Sequence, residues 1–293
     1  MNEKDCMMLQ YISEEQNMTK AAERLYITQP ALTYRLRQIE KEFGVPVIMK
    51  NGKGIKLTQE GEYLVTYSQK VLLDLRKTKE YVVNMRNEVE GHLRIGVSSY
   101  YGLYKLPPIL KSFISTYPKV QINVDSGWSN EIYELLLHED IHVGIVKGDY
   151  QWYDQKYLIN EESICVISQE EINLDSLPKI PRINFKISKS GGSYRYSSLS
   201  QTIDDWWHER FNESPQITMQ VDSYETCKEM VKNGLGYAII PRSFVNPSDE
   251  LHRIDLIRKN GQAIKRNTWM LYRETSLQFT IVERFVNYIK SLN

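Results

Sequence analysis

The sequence predicts an α/β multidomain chain: an N-terminal all-α winged helix-turn-helix, a long linker helix, and a C-terminal α/β region. Three observations lead there. Residues 18–58 read as two short helices and a basic hairpin, residues 59–89 run without proline in a near-heptad rhythm, and strand and helix patterns alternate from Gly91 onward. At 293 residues, 41% hydrophobic and 25% charged, the chain is too long for one typical domain and apolar enough for several cores. No apolar run is long enough to predict a transmembrane helix. The opening MNEKDCMMLQYISEEQN lacks the basic-then-apolar order of a signal peptide, so a cytoplasmic location is expected. Cys6, Cys165 and Cys227 have no paired spacing. They predict no disulfide framework and read as small buried apolar residues, with a redox sensor as the alternative.

Taken in order, residues 4–14 predict a helix with Met8, Leu9 and Ile12 turned inward. A second runs from Met18 to about Leu25, where the small Ala21 and Ala22 suit close approach of another helix. After a break at Tyr26-Ile27, Thr28 is a good N-cap and Pro30 fits a first turn. The third helix should stop at Gly44, with Pro46 beyond it. Its apolar residues Leu32, Leu36, Ile39 and Phe43 form one stripe. At about 100° per residue the opposite direction holds Pro30, Tyr34, Arg37 and Lys41, flanked by Thr33 and Arg35. A helix with an apolar back and a Tyr/Arg/Lys front suits a DNA major groove.

Charge patterning alone describes many solvated helix faces, but here the charge is concentrated. Lys20 to Thr58 holds eight basic and three acidic residues in a chain whose formal net charge is zero. That excess is the footprint of a nucleic-acid surface. Asn51-Gly52-Lys53-Gly54, between the β-prone runs Val45–Ile48 and Ile55–Leu57, predicts a hairpin. It would present Lys50, Lys53 and Lys56 to a phosphate backbone.

The ordered run Ala21-Ala22-x-x-Leu25, Gln29-Pro30-Ala31-Leu32-Thr33, Ile39-Glu40, Phe43-Gly44, Leu57-Thr58 and Gly61 resembles the winged helix-turn-helix of LysR-type transcriptional regulators. Two departures stand out. Thr33 replaces the usual Ser and keeps the hydroxyl, and Val47-Ile48-Met49-Lys50 replaces Leu-Phe-x-Arg, turning a bidentate Arg into a point charge. The resemblance implies a sequence-specific regulator whose DNA contacts come from Thr28, Gln29, Pro30, Thr33, Tyr34, Arg35, Arg37, Lys41, Lys50, Lys53 and Lys56.

Beyond Thr58 a helix is predicted from Gln59 to about Val89, with Leu64, Val71, Leu75, Thr78, Val82 and Met85 near heptad spacing. A helix of about 30 residues spans about 45 Å. Its stripe could pack on its own body, but a seam between two copies is favoured, because such proteins read two half-sites. The dimerisation residues are then Leu64, Val71, Leu75, Val82 and Met85, in a homodimer or homotetramer.

From Gly91 the predicted elements are His92–Ser98 (strand), Tyr104–Thr116 (helix), Val120–Val124 (strand), Asn130–Leu137 (helix) and Ile141–Val146 (strand). This order argues for a parallel sheet with helices on both faces. Leu158–Ile167 reads as two short strands bent near Asn160, followed by Arg182–Ile187. A helix over Ser197–Phe211, a strand over Ile217–Val221 and a helix capped by Asp222 or Ser223 and ending at Gly234 come next. Tyr237–Ile240, Arg253–Ile257, Thr268–Tyr272 and a last helix, Leu277–Ser291, complete the list. Gly91-His92-Leu93-Arg94-Ile95-Gly96 and Val231-Lys232-Asn233-Gly234-Leu235-Gly236-Tyr237-Ala238-Ile239-Ile240-Pro241 also resemble LysR-type segments. They imply a two-lobed effector-binding domain resembling type 2 periplasmic binding proteins. The domains expected are 1–58, 59–89 and 90–293, with lobe one at 90–160 and 267–293 and lobe two at 161–266.

His138-Glu139-Asp140-Ile141-His142 fits the H-E-x-x-H expression of zinc proteases. That chemistry needs both imidazoles on one helix face. Here the helix is predicted to end near His138 and His142 to begin a strand, so no metal site is expected. No nucleophile elbow, phosphate loop or carboxylate pair appears, and neither enzyme activity nor a cofactor is expected. Ligands of open α/β sheets bind beyond the carboxyl ends of strands, at helix N-termini. Ser98, Ser99, Tyr100, Lys147, Ser188, Ser190 and Gly191 are the expected effector contacts, suited to a small anionic metabolite such as an organic acid. The partners expected are double-stranded DNA with an inverted repeat, this effector and a second copy of the chain, with RNA polymerase left open and no membrane. A transport solute-binding protein and a cleft enzyme are the rivals; the missing signal peptide, the basic helix pair and the lack of catalytic groups argue against them.

Overall fold

Asn2 opens the first helix by a reciprocal cap: its side chain accepts from the Asp5 N–H, and the Asp5 carboxylate accepts from the Asn2 N–H. In the computed structural model, which describes residues 1–52, 54–84, 90–186 and 198–292, helix α1 (Glu3–Glu15) buries Met8, Leu9 and Ile12. Helix α2 (Met18–Arg24) is capped by Asn17, whose side chain accepts from the Thr19 and Lys20 N–H groups. Asn17→Ala is expected to lower the stability of this region by about 1 kcal/mol, read by urea titration. A result indistinguishable from the parent would show that water caps this helix equally well.

Helix α3 (Gln29–Phe43) starts at the Thr28 cap and stops at Gly44, which takes the left-handed φ of 71°. Leu32, Leu36 and Ile39 are buried. The fourth residue of the predicted stripe is not: Phe43 is 44% exposed, because the final turn from Lys41 to Gly44 faces solvent. The hairpin β1 (Ile48–Asn51) and β2 (Gly54–Leu57) pairs Ile48 with Leu57 and Asn51 with Gly54. Its first strand begins three residues later than the sequence suggests. Pro46 has no N–H, and Val47 is already engaged: its N–H donates to Glu40 at 2.9 Å and its carbonyl accepts from the Thr58 N–H at 3.0 Å.

Helix α4 (Gln59–Asn84) is anchored there too. Thr58 Oγ1 donates to the Pro46 carbonyl and accepts from the Gly61 N–H. A Cβ on Gly61 would stand 2.1 Å from the Val47 carbonyl oxygen, so only glycine allows α4 to come this close. Leu64 and Val65 then join the core formed by α1, α2, α3 and Val47. This corrects the seam reading. Leu64, 7% exposed, belongs to the helix bundle of its own subunit, whereas Val71 and Leu75 are half-buried and Val82 is 56% exposed. Met85 lies outside the described residues.

Residues 1–91 make one structural unit and 92–293 a second. In the second, the strands are β3 (Gly91–Ser98), β4 (Val120–Gly127), β5 (Val143–Lys147), β6 (Gln155–Ser168), β7 (Arg182–Phe185), β8 (Ile217–Val221), β9 (Tyr237–Pro241), β10 (His252–Asp255) and β11 (Lys265–Tyr272). Their order is β4-β3-β5-β11-β6-β9-β7-β8, with β10 also on β6. β5 and β3 are parallel, as are β7 with β8 and β9, but β11 and β6 run antiparallel to their neighbours. The sheet is therefore mixed rather than parallel throughout.

The two predicted strands around Asn160 are one long strand. β6 pairs continuously with β11, and the irregularity appears as a register shift between Thr268 and Trp269. Its first half serves the sheet half of β3, β4 and β5, and its second half that of β7 to β10. The helix predicted over 104–116 is α6 (Leu106–Thr116), and a short helix that the sequence did not suggest, α5 (Ser99–Tyr104), precedes it. Pro107 and Pro108 have no N–H to offer the preceding turn. Helices α7 (Ser129–Leu137), α8 (Ser198–Arg210), α9 (Tyr224–Lys232) and α10 (Thr280–Ser291) complete the unit. Trp206, Trp207, Cys165 and Cys227 fill the core of the second half. Burial pushes both of these thiols up to about 12, which keeps them protonated and unreactive.

Candidate nucleic-acid interface and interlobe cavity

Because Leu32, Leu36 and Ile39 hold α3 by its back, its front is open. Tyr34 is 66% exposed, and Pro30, Arg37 and Lys41 are exposed beside it. At the N-terminal end, Thr33 Oγ1 donates to the Gln29 carbonyl at 2.9 Å and accepts from Gln29 Nε2 at 3.1 Å, which orients both side chains. Thr28 spends its oxygen on the cap, accepting from the Ala31 N–H. Lys50 and Lys56 project from the hairpin into solvent, and Lys53 lies outside the described residues.

Arg35 has a partner within the head that the sequence did not suggest. Its guanidinium grips buried Asp5 through two hydrogen bonds, Nη2 to Oδ2 at 2.7 Å and Nε to Oδ1, tying α3 to α1. Burial would raise the Asp5 carboxyl, but Arg35 and the Asn2 N–H outweigh it and hold the group below its ordinary value. The side chain predicted to touch DNA is therefore held by the α1 carboxylate, and sequence position alone gave no sign of a partner thirty residues away.

Strands β3, β4, β5, β7 and β8 end at a cavity of about 250 Å³. One side is built from Ser98, Ser99 and Tyr100 after β3, Trp128 and Ser129 after β4, and Lys147 at the end of β5. The other comes from Phe185 at the end of β7, residues 222–225 at the start of α9, and Phe244; Arg266 stands at the start of β11. Aromatic rings run along the wall: Phe185 stacks on Tyr224 at 4.1 Å, Tyr224 meets Phe244 at 5.0 Å, and Phe244 meets Tyr100 at 4.6 Å.

Lys147 also has partners that the sequence did not suggest. Its Nζ donates to Glu162 at 2.6 Å and to Ser243 Oγ at 3.1 Å, and it sits 4.1 Å from the centre of the Tyr100 ring. Burial draws its ammonium below the ordinary value in spite of Glu162. Glu162 accepts in addition from the Ser243 N–H, and the Tyr100 hydroxyl donates to the Ser243 carbonyl at 2.7 Å. Lys147 and Tyr100 on one lobe are thus laced to Ser243 on the other. Lys147 lines the cavity as expected, and an anion there would meet a lysine already paired with Glu162.

Among the described residues, two polar groups lining the cavity are unmet: Ser98, 6% exposed, has no hydrogen-bond partner for its hydroxyl, and the buried Nε of Arg266 has none either. Ser99 Oγ donates to the Gly127 carbonyl. Ser188, Ser190 and Gly191 lie outside the described residues. Sequence reasoning missed Arg266, Glu162 and Ser243 as site residues; the predicted Ser223 cap does mark the α9 terminus beside the cavity.

The H-E-x-x-H match resolves locally. Helix α7 ends at Leu137 with His138 as its cap, and Glu139 turns left-handed at φ 59°. His142 is buried, its Nδ1 accepting from the Arg94 N–H at 3.2 Å. Among the described residues no group of three His, Cys, Asp or Glu side chains could hold a metal, and no helix is long and apolar enough to cross a membrane.

Comparison with known proteins agrees with this geometry. Residues 4–62 match the model described as bacterial regulatory helix-turn-helix protein, lysR family, and residues 86–293 match that of the LysR substrate binding domain. The chain is 41% identical over 290 residues to the HTH-type transcriptional regulator YraN of Bacillus subtilis (strain 168), covering 99% of this chain and 98% of that one. It is 33% identical over 287 residues to YkuM of the same organism, covering 97% and 95%. Full-length CbnR, solved in complex with its target DNA, shares the fold with a TM-score of 0.66 at 20% identity, covering 99% of each chain.

Proposed function

The chain belongs to the LysR family of transcriptional regulators, and from that premise we propose which of its surfaces recognise DNA, effector and a second copy. It is a DNA-binding regulator with an N-terminal helix-turn-helix and a C-terminal effector-binding domain, not an enzyme. The reading of surfaces rests on one observation above the rest: α3 is buried along Leu32, Leu36 and Ile39 while Tyr34 and Arg37 stand open on its far side. We assign Pro30, Thr33, Tyr34 and Arg37 to base edges, and Gln29, Thr28, Lys41 and the hairpin lysines to the backbone. Arg35 supports the helix from its flank, through Asp5. Such a protein works where the chromosome is, in the cytoplasm.

The seam of α4 is assigned to Val71, Leu75 and Val82, beyond the part of the helix buried against α1. Two copies joined there would read an inverted repeat. A small carboxylate-bearing effector in the interlobe cavity would shift the population of lobe arrangements and, through them, the placement of the DNA-binding heads. Gel-shift titration on the promoter region beside the gene tests the assignment. Lys56→Ala should weaken binding to all sequences alike and reduce the slope of log K against log salt by about 1. A loss confined to the specific site would show that this lysine reads sequence, contrary to the assignment.

A further inference from the structure

We propose that the ligand of the interlobe cavity carries a protonated amine as well as a carboxylate: an amino-acid-like zwitterion with an apolar or aromatic body. The inference rests on the assignment of this cavity as the effector site and adds the chemical class.

The charged side chains lining the cavity are Lys147, Asp222, Glu225 and Arg266. Lys147 is neutralised by Glu162. That leaves the Arg266 guanidinium, whose Nε has no partner and which takes part in no ion pair among the described residues. Against it stand two carboxylates, Asp222 and Glu225, at the start of α9. Glu225 accepts a hydrogen bond from the Ser223 hydroxyl at 2.9 Å, which orients the carboxylate without removing its charge.

A plain carboxylate ligand would satisfy Arg266 and the unmet Ser98 hydroxyl, yet would sit in a small cavity facing two like charges. A plain amine would suit Asp222 and Glu225 and leave the buried Nε of Arg266 and the Ser98 hydroxyl unmet, at a cost. A molecule bearing both groups answers both ends. The wall between them is aromatic, with Phe185, Tyr224 and Phe244 in contact, so it favours an apolar body and offers ring faces to an ammonium. A volume of about 250 Å³ falls below the range of drug-sized pockets and suits a small metabolite. Ser98 lies on one lobe and Asp222 and Glu225 on the other, so such a ligand would bridge the lobes.

The test is titration calorimetry of the full chain with L-leucine, L-isoleucine, L-methionine, L-phenylalanine, L-tyrosine and L-tryptophan. Each is matched with the carboxylic acid lacking its amine and the amine lacking its carboxylate. At least one amino acid should bind about tenfold or more tightly than both its analogues. The Asp222→Asn/Glu225→Gln variant should lose that preference, and Arg266→Met should lose the binding. If a carboxylic acid binds as well as its parent and Arg266→Met abolishes it, the zwitterion inference falls and the assignment of the cavity stands. Amino-acid binding that survives both variants overturns both. Failure of every amino acid to bind overturns the inference.

Discussion

Glu162→Ala should destabilise the effector-binding unit by about 3–5 kcal/mol, more than any other single substitution considered. The reason is what it strands. Lys147 and Glu162 are each under a tenth exposed, and their 2.6 Å contact is the only ion pair of Lys147 among the described residues. Without the carboxylate a buried ammonium keeps the Ser243 hydroxyl at 3.1 Å and the Tyr100 and Phe244 rings but no counter-charge, and the Ser243 N–H loses its acceptor. The measurement is the second transition in urea unfolding of the full chain. A companion variant separates charge from shape: Lys147→Met/Glu162→Leu removes both charges and should recover most of the loss, because a buried pair contributes little net stability while half of one is costly. A loss below about 1 kcal/mol for Glu162→Ala, or a double variant no better than the single, would mean that water reaches the pair. The double variant should also lower effector response even where stability returns, since Lys147 helps lace the lobes through Ser243.

The elements governed by neighbouring residues were legible in the sequence. Thr28 and Gly44 bound α3 because a cap and a left-handed stop act within a few residues, and Ile217–Val221 was bounded by turn residues on both sides. Elements governed by distant partners were not. Heptad spacing marks an apolar stripe but not its partner, so Leu64, packed in its own subunit, could not be told from Val82, which is exposed. Long β6 looked broken at Asn160 because its continuity comes from pairing with β11, about a hundred residues later. The charged residues divide in the same way. Arg35 and Lys147 look like free cations until Asp5 and Glu162 arrive from elsewhere in the fold. Arg266 gave no local sign of the cavity it lines. Function was readable where a run of residues acts together on one helix, and obscure where single side chains converge from separate strands.

Arg37→Ala should weaken specific DNA binding by about 1–3 kcal/mol, roughly five- to 150-fold, with little change in the affinity for unrelated sequence. Arg37 is exposed on the face of α3 away from its buried stripe, beside Tyr34, so its removal leaves the packing intact and takes away only what it contacts. Arg35→Ala is the necessary contrast. It lies two residues away and carries the same charge, but its guanidinium is held by Asp5. Its loss leaves a buried carboxylate without its charged donor, so the melting temperature of the head should fall and DNA binding should fall with it for every sequence. The sign of any pH effect follows from the same pair. Asp5 titrates below its ordinary range, so its contribution is complete above that range and is lost as pH falls through the folded value; Arg35→Ala should flatten the acid limb of the head's stability curve. The two variants together decide between surface and scaffold. If Arg37→Ala lowers the melting temperature and spares sequence preference, or Arg35→Ala alters preference with no change in melting, the roles given to these two arginines are reversed. The groove-facing side of α3 would then have to be redrawn around the flank that carries Arg35.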